Sequence, residues 1–406
     1  MTFPLPTPGQ DNNVWGVMLN NFLSVSLDPT TGKLRATTGA AIPITGPSTS
    51  QPTVWQMLDG SMVVLPLSTY GLTGDDGQWI NAALNALPTI TTNLYGGTYK
   101  GPWTIGTVRF LPATYNLATG IIMPNGGCAN LIGQGPGTIL ACQAGVTGII
   151  ARGYGGGWTP GDTYAMQTHG SIQGLRIDGF NVGNGVFYGI DYGGGWGFTI
   201  RDTSVVNFLG NGNIGVRFAN LSAAGQNASW SEKMRINMNC IKNDTAVLIT
   251  GGNGATNDSF EYNDLTFYVQ ASANQNGVVV DKGAFLYRSD IVIRANMADN
   301  SGAVLTEQGN DGGVGNSSSI SVCRVFIGAE HNNTVNTPQT IKFGDTANNT
   351  MNNCTGHLSF GFTASAWTPS NANSGIFSFG GMVNGDNTLS NISKVLANAP
   401  SGWPTV

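Results

Sequence analysis

The stretch FTIRDTSVVNFLGNGNIGVRF (residues 198–218) joins a longer and a shorter run of alternating apolar residues, and this pair recurs along the chain. The later long runs are EKMRINMNCI from Glu232, FEYNDLTFYVQ from Phe260, LYRSDIVIRANM from Leu286, ISVCRVFIGAE from Ile320 and CTGHLSFGFTA from Cys354. The later short runs are AVLIT from Ala246, GVVVD from Gly277, GAVLT from Gly302, TIKFG from Thr340 and GIFSF from Gly375. Each run has the length and alternation of a β-strand, and clusters of Gly, Asn, Ser and Asp separate them.

The spacing of these runs predicts how the strands are arranged. Copies of either kind lie roughly 25 to 38 residues apart, a period typical of repeat proteins, and no helical pattern fits between them. Strands that repeat without crossover helices bury their inner faces by coiling into a solenoid, where each rung pairs with the next coil. The sequence therefore predicts an all-β, single-stranded parallel β-helix of about nine to twelve coils. We expect Val247, Val279 and Val304, at comparable places in successive short runs, to stack in its core.

Composition supports this architecture. Charged residues make up 10% of the chain, against about 25% in ordinary globular domains. Glycine accounts for 59 of 406 residues, and it supplies the positive φ angles that tight corners need. No proline lies between Gly161 and Thr337, as expected of a segment whose strands pair without interruption.

Charge and residue types argue against several functions. The net charge is −5 and no basic cluster is present, so we expect no nucleic-acid binding. The longest apolar runs, such as MVVLPL from Met62, are too short to cross a bilayer, and no secretory signal is expected. We predict no metal and no cofactor, because the histidines and cysteines lack the spacing of metal ligands. We expect the cysteines to be buried thiols in a protein that folds in a reducing cytoplasm. The histidines and cysteines are His169, His331, His357, Cys128, Cys142, Cys240, Cys323 and Cys354.

Residues 70–140 contain a specific local pattern. The segment YGLTGDDGQWINAALNAL predicts a turn and a short amphipathic capping helix, with Asp75 or Asp76 as its N-cap. The strands VRFLPATYNLATGIIMP and NLIGQGPGTIL follow. This order resembles the first segment of the pectate-lyase-like superfamily, which implies a right-handed β-helix extending over about residues 70–385. The residues that carry the resemblance are Gly74, Asp75, Asp76, Gly77, Val108, Phe110, Pro112, Tyr115, Leu131, Gly133, Gly135 and Gly137, whereas Ala113 replaces a common glycine.

Residues 1–35 carry a second resemblance. PLPTPGQDNNVWGVMLNNFLSVSLDPTTGKLR is similar to the opening segment of tail-fibre and tailspike proteins of bacterial viruses, in which a short apolar helix attaches the protein to the virion. The residues that carry the pattern are Trp15, Gly16, Leu19, Asn20, Phe22 and Leu23. A lone helix of this length is marginal in water, so it is expected to dock on another copy, on the virion or on the chain's own β-helix. Residues 36–69 are predicted to be a linker and lead-in, and residues 386–406 a C-terminal tail.

Two glycine-rich loops present aromatic residues. GYGGGW and DYGGGW place Tyr154 with Trp158, and Tyr192 with Trp196, about one coil apart. A sugar ring packs its C–H face on an aromatic ring, so these four residues are candidates for glycan binding. The alternative is that the glycines form tight corners and the rings cover the side of the solenoid.

A pair of carboxylates is the candidate catalytic group. When the long runs are aligned by their alternation, Asp264 and Asp290 fall in the same register, and Asp202 takes this register two coils earlier. Neighbouring rungs lie about 4.8 Å apart, so the two carboxylates would stack, an arrangement compatible with retaining glycoside hydrolysis. The alternative is a pair of solvated aspartates neutralised by nearby arginines; Glu307 and Glu330 are weaker candidates.

These patterns favour a subunit of a phage tail fibre or spike that recognises host cell-surface glycans. The resemblance implies a homotrimer, baseplate or tail-tip proteins as partners, and a location in the virion tail after assembly in the host cytoplasm. Two alternatives stay open: a polysaccharide depolymerase, whose catalytic pair would face one groove, and a purely structural virion component.

Overall fold

The computed structural model describes residues 54–57, 60–90, 103–124, 128–152, 167–220, 231–251, 259–271, 275–281, 284–297, 304–307, 320–331, 341–343, 351–352, 354–361 and 375–381. The predicted attachment segment (1–35), the tail (386–406), Tyr154 and Trp158 lie outside the described residues.

Short β-strands make up most of the described chain. In chain order they are β1 (Val54–Gln56), β2 (Met62–Val64), β3 (Thr89–Ile90), β4 (Trp103–Phe110), β5 (Ala113–Leu117), β6 (Ile121–Ile122), β7 (Cys128–Ile132), β8 (Thr138–Cys142), β9 (Ile149–Arg152), β10 (Gln167–Thr168), β11 (Ser171–Gln173), β12 (Arg176–Asp178), β13 (Tyr188–Gly193), β14 (Gly195–Trp196), β15 (Thr199–Val206), β16 (Ile214–Asn220), β17 (Ser231–Glu232), β18 (Arg235–Ile241), β19 (Thr245–Gly251), β20 (Ser259–Glu261), β21 (Asp264–Ala271), β22 (Asn276–Val280), β23 (Phe285–Tyr287), β24 (Asp290–Met297), β25 (Leu305–Glu307), β26 (Ile320–Ser321), β27 (Arg324–His331), β28 (Ile341–Phe343), β29 (Met351–Asn352), β30 (Cys354–Gly361) and β31 (Gly375–Gly381). A 3-10 turn (Leu67–Tyr70) and helix α1 (Asp76–Asn85) precede β3.

The strands form three sheets, in which all pairing is parallel except that of β1 with β2 and of β3 with β4. Sheet A follows the path β2-β4-β7-β11-β15-β18-β21-β24-β27-β30-β31, sheet B follows β10-β14-β17-β20-β23-β26-β29, and sheet C follows β6-β9-β13-β16-β19-β22-β25-β28. Strands β5, β8 and β12 also belong to sheet A, beside this path, and sheet B begins at β10. The parallel strands pair with the coils before and after, which confirms the solenoid. The fold is a right-handed parallel β-helix, the hand that parallel crossovers adopt.

The parallel stack starts earlier than the sequence indicates. Strand β2 pairs in parallel with β4, and Met62 and Val64 are buried in the same core as Val108 and Phe110. The predicted boundary at residue 70 therefore separates the first rung from the β-helix to which it belongs. Strand β1 pairs antiparallel to β2 at this end of sheet A.

Helix α1 closes the N-terminal end of the described core, as the amphipathic pattern predicts. Asp75 is its N-cap and accepts a hydrogen bond from the Gly77 backbone N–H, 2.9 Å away. The buried stripe consists of Ile80, Ala83, Leu84 and Leu87. Because these side chains are nearly inaccessible, the helix shields the apolar residues of the first coils from water.

A buried carboxylate fixes this helix to the strands. Asp76 accepts hydrogen bonds from the backbone N–H groups of Leu67 and Asn116, each at 2.7 Å. Burial raises the pKa of Asp76, and the nearby Asp75 charge adds to this, whereas the two backbone hydrogen bonds oppose the rise. Asp76 thus ties the helix to the preceding turn and to β5.

The corner between sheets B and A is built the same way in successive coils. Lys233, Tyr262, Arg288 and Val322 each have a positive φ between 49° and 56°, which turns the chain sharply out of sheet B. Residues other than glycine seldom adopt this conformation. The register of sheet B places the four residues in one column along the rod.

Buried polar side chains stabilise this corner. Asn263, Ser289 and Cys323 follow the positive-φ residues and lie above one another inside the corner. Asn263 accepts from the backbone N–H of Met234 at 2.9 Å, and Ser289 accepts from the backbone N–H of Asn263 at 3.1 Å. Each side chain thereby satisfies a backbone donor in the coil before it, so the column links successive coils.

The register of the core confirms part of the sequence alignment and corrects the rest. Asp264 pairs with Asp290 and Glu261 with Tyr287, as predicted. The predicted stack of Val247, Val279 and Val304 is wrong by one residue, because Val247 pairs with Val278, which pairs with Leu305. All three predicted valines are nevertheless buried. The short run GVVVD offers three adjacent valines, so alternation alone does not select the inward one.

Three cysteines of the described chain lie in the core. Cys142, Cys240 and Cys323 are buried thiols that form no disulfide in the described part of the chain, while Cys128 is half-buried. Burial raises the pKa of Cys142 to about 12. No helix among the described residues is long and apolar enough to span a membrane.

The corrected core register places Val278 inside the core, whereas Val292 lies on the outer side of sheet A, so we expect substitutions of these two valines to differ in their effect on stability. Val278→Asp would bury an unpaired charge and lower the free energy of unfolding by several kcal/mol, whereas Val292→Asp, on the half-buried outer side of β24, would change it by about 1 kcal/mol or less. Urea unfolding followed by circular dichroism measures both. Equal losses in the two variants would contradict the register.

Candidate functional site

An open cleft lies along the corner between sheets B and A, and we call it the corner cleft. Its volume is about 420 Å³ and it spans the coils of β21, β24 and β27. It is lined by Tyr262, Asn263, Asp264, Arg288, Ser289, Asp290, Val322 and Arg324. Because the corner residues recur in register, side chains far apart in sequence meet in one groove.

The two predicted catalytic carboxylates both line this cleft. Asp264 is exposed and Asp290 is half-buried, and they occupy adjacent rungs of sheet A. Arg235 precedes them and Arg324 follows them in the same column, so one positive charge flanks the pair at each end. The column of four residues carries no net charge, which offsets the repulsion between the stacked carboxylates.

Arg324 holds Asp290 through two hydrogen bonds. Its Nε donates to Asp290 Oδ1 at 2.6 Å, and its Nη2 donates to the other carboxylate oxygen. The hydrogen bonds and the negative charge of Asp290 raise the pKa of Arg324. The side chain of Asp264 has no hydrogen bond within the described part of the chain, and its carboxylate is exposed at the cleft surface, where its charge also contributes to the raised pKa of Arg324.

Aromatic rings and a guanidinium form one wall of the cleft. Tyr262 is 45% exposed, and its hydroxyl accepts a hydrogen bond from Arg288 Nη1 at 2.6 Å. The Arg288 guanidinium also lies 4.8 Å from the ring centroid of Tyr287, a cation–π contact. These contacts hold a ring and a positive charge in fixed positions beside Asp264.

An apolar surface borders the other side. Val322 lines the cleft and is 43% exposed, and Phe326 in β27 is 45% exposed on the outer face of sheet A. Exposed large apolar side chains beside polar groups are typical of binding sites. Sequence reasoning missed Tyr262, Arg324 and Phe326 as site residues. The alignment that found Asp264 and Asp290 would have placed Arg324 one coil further on.

Trp196, one of the predicted glycan-binding residues, lies on the same corner of the rod two coils before Tyr262. The side chain is half-buried. Its ring lies 5.5 Å from the ring of His169, and the Lys233 ammonium lies 5.0 Å from its centroid. One face of the indole therefore already has a cationic neighbour, so a sugar would reach only the remainder of the ring.

Tyr192 corrects the prediction for the second glycine-rich loop. Its side chain is 0% exposed, and the ring packs between Phe198 and Phe218 at centroid distances of 4.7 and 6.0 Å. The residue lies in β13, where Ile190 and Tyr192 point inward together. A ring in this position cannot contact a glycan. The alternation of YGID before the glycines is the signal that would have placed it in the core.

Asp202 corrects the carboxylate alignment. It sits at a β-bulge in β15, with φ of 50°, and the register of β15 against β18 shifts at this point. Thr199, not Asp202, occupies the column of Asp264 two coils earlier. The predicted alignment is displaced by three residues; the bulge accounts for one of them, and a slip of two residues, which keeps the alternation unchanged, accounts for the rest.

The remaining candidates and metal ligands add little to this site. The side chains of Glu307 and Glu330 lie outside the described residues. Within the described part of the chain, no three His, Cys, Asp or Glu residues come together as a metal site. The cleft can therefore act through hydrogen bonding, ring contacts and its pair of carboxylates.

Comparison with known proteins gives distant structural similarities. No protein-family model and no curated protein sequence matches the chain. The ORF18 protein of Geobacillus virus E2 is similar at 12% identity and a TM-score of 0.36, covering 79% of this chain, which spans 62% of that protein. Tailspike protein 3 of bacteriophage CBA120 has 12% identity and a TM-score of 0.26, covering 92% and 69% of the two chains. The endo-xylogalacturonan hydrolase of Aspergillus tubingensis has 12% identity and a TM-score of 0.27, covering 76% and 90%.

Tyr192 and Tyr115 are both buried, but we expect removal of their hydroxyl groups to have opposite effects on the free energy of unfolding. Among the described residues its hydroxyl has no hydrogen-bond partner, whereas the Tyr115 hydroxyl donates to Val64 O at 2.8 Å and accepts from Leu111 N at 3.1 Å. We expect Tyr192→Phe to leave the free energy of unfolding unchanged or raise it by up to about 1 kcal/mol, and Tyr115→Phe to lower it by about 1–2 kcal/mol. Urea unfolding compares the two, and a larger loss for Tyr192→Phe would contradict this assignment.

Proposed function

We propose that this protein is a subunit of a phage tail fibre or tailspike whose β-helix recognises glycans on the host cell surface. The observation that carries the proposal is the corner cleft, where exposed Tyr262, the exposed carboxylate of Asp264 and the fixed guanidinium of Arg288 converge from successive coils. Glycan recognition needs a ring for sugar C–H faces and polar groups for hydroxyls, and this cleft offers both.

The framework suits such a surface. Adjacent coils are about 4.8 Å apart, so the corner from Trp196 to Arg324 extends over roughly 19 Å of rod. Backbone pairing and the buried column of Asn263, Ser289 and Cys323 hold these side chains in place before a ligand arrives. A preorganised surface loses little conformational entropy on binding. Trp196 remains a candidate contact at one end of this line, and Tyr154 and Trp158 remain candidates by sequence alone.

Attachment to the virion rests on the sequence of residues 1–35. Trp15, Leu19, Phe22 and Leu23 carry the resemblance to phage tail proteins, and they would supply an apolar helix for docking to a baseplate or tail-tip protein. A homotrimer and assembly in the host cytoplasm belong to the same proposal, as does the host polysaccharide as the ligand.

A depolymerase is the second candidate, favoured by the pairing of Asp264 with Asp290. Adjacent rungs separate two stacked residues by about 4.8 Å, near the 5–5.5 Å carboxyl separation of retaining glycosidases. In such a mechanism Asp290, which Arg324 binds, would be the nucleophile and Asp264 the proton donor. The open shape of the cleft favours binding over cleavage, since the electrostatic interactions that stabilise a transition state are stronger in a site that encloses the scissile bond.

Binding to bacterial polysaccharide tests the proposal. Tyr262→Ala should weaken retention of cell-wall polysaccharide by about 1–3 kcal/mol, roughly a 5- to 150-fold rise in Kd, because it removes the exposed ring of the cleft. Phe180→Ala is the matched control, since Phe180 is an exposed aromatic residue on a different corner. Biolayer interferometry against polysaccharides from a panel of bacterial strains measures both. Equal affinities for the Tyr262 and Phe180 variants would remove the cleft from the binding surface.

The same incubation separates binding from cleavage. If the protein is a depolymerase, size-exclusion chromatography should show shortened chains, and Asp264→Asn or Asp290→Asn should each abolish the shortening while retention is weakened but not lost. If chain length stays constant with the unaltered protein over many hours, the carboxylate pair is not catalytic.

A further inference from the structure

We propose that the corner cleft selects an uncharged polysaccharide and discriminates against acidic ones. This inference rests on the proposed function, because it specifies the glycan that the same cleft would bind. It follows from which charged groups in the cleft are already engaged and which remain available to a ligand.

One of the two cationic groups that line the cleft is neutralised by a carboxylate, and the other contacts neutral tyrosines and keeps its charge. Arg324 uses two of its nitrogens to bind the Asp290 carboxylate, so these two residues form a neutral pair. Arg288 donates to the Tyr262 hydroxyl and lies against the Tyr287 ring. An acidic sugar would have to compete with the aspartate for Arg324.

Asp264 contributes an exposed negative charge to the cleft centre. Its carboxylate makes no hydrogen bond in the described chain, it interacts electrostatically with Arg324, and Asp290 lies on the next rung. A carboxylate accepts hydrogen bonds from sugar hydroxyls, and the free N–H groups of Arg288 donate to hydroxyl or ring oxygens. A second carboxylate brought by the ligand would meet the Asp264 charge instead, at a cost that grows as water leaves the interface.

The flanking charges leave this balance unchanged. Lys233 pairs with Glu232 at 3.5 Å, so the preceding corner position has no unpaired cation. Arg235 lies one rung before Asp264 in sheet A and adds a positive charge. Glu261 precedes Tyr262 in the chain and adds a negative charge that offsets that of Arg235. The cleft and its margins therefore carry no net charge, whereas recognition of a polyanion requires a surplus of positive charge.

Fractionated polysaccharide provides the test. Cell-wall polysaccharide from a panel of bacterial strains is separated by anion exchange into uncharged and acidic fractions, and each is offered to the full-length protein. We expect retention of the uncharged fraction, with Kd changing less than about threefold between 50 and 500 mM NaCl, because screened charges contribute little. Retention of the acidic fraction alone, with a loss of tenfold or more in high salt, would overturn this inference while leaving the proposed function intact. Retention of neither fraction would overturn both.

The sign of one substitution gives an independent readout. Asp264→Asn should weaken binding of the uncharged fraction by about tenfold, since an amide is a poorer acceptor than a carboxylate. If the ligand were acidic, the same substitution would remove a repulsion and tighten binding. Asp202→Asn is the matched control, because it makes the same change of charge at an exposed bulge outside the cleft, and it should leave Kd unchanged. Tighter binding by Asp264→Asn, relative to this control, contradicts the inference.

Discussion

Every structural feature of this protein depends on the hydrogen bonding of each coil to the next. Among the described strands, all except β1 and β3 pair in parallel with strands of neighbouring coils, so no coil is stable by itself. The corner column of Asn263, Ser289 and Cys323 adds side-chain contacts to this pairing, since each side chain accepts a backbone N–H of the coil before. A change at one rung is therefore felt by its neighbours.

The corner conformation connects this stacking to the candidate site. Tyr262, Arg288 and Val322 adopt positive φ, which turns their side chains outward while the next residue points into the core. The turn repeats in register, so the outward side chains line up with the carboxylates that begin β21 and β24. The same strained backbone that makes the corner compact thus creates the cleft, an association of strain and function seen at many sites.

The core of the solenoid is closed by a helix at its N-terminal end and filled by large side chains along its length. At the N-terminal end, helix α1 and the buried Asp76 carboxylate close the described core and fix the first coils. Further along, the aromatic residues Tyr192, Phe198 and Phe218 pack against one another in the interior. A ring that fills the core cannot also be a surface contact, which is why the glycine-rich loop contributes Trp196 but not Tyr192.

The sequence alone determined the parallel β-helix, the capping helix with its buried stripe, and the pairing of Asp264 with Asp290, because alternation and repeat length are local properties of the chain. It did not determine that Val278 rather than Val279 faces the core, or that Asp202 sits at a bulge. Those outcomes depend on how long each loop is and on where a strand gains a residue, which shifts one coil against the next. The corner cleft was likewise decided by tertiary structure, since Tyr262, Asp290 and Arg324 meet only when three coils stack in register.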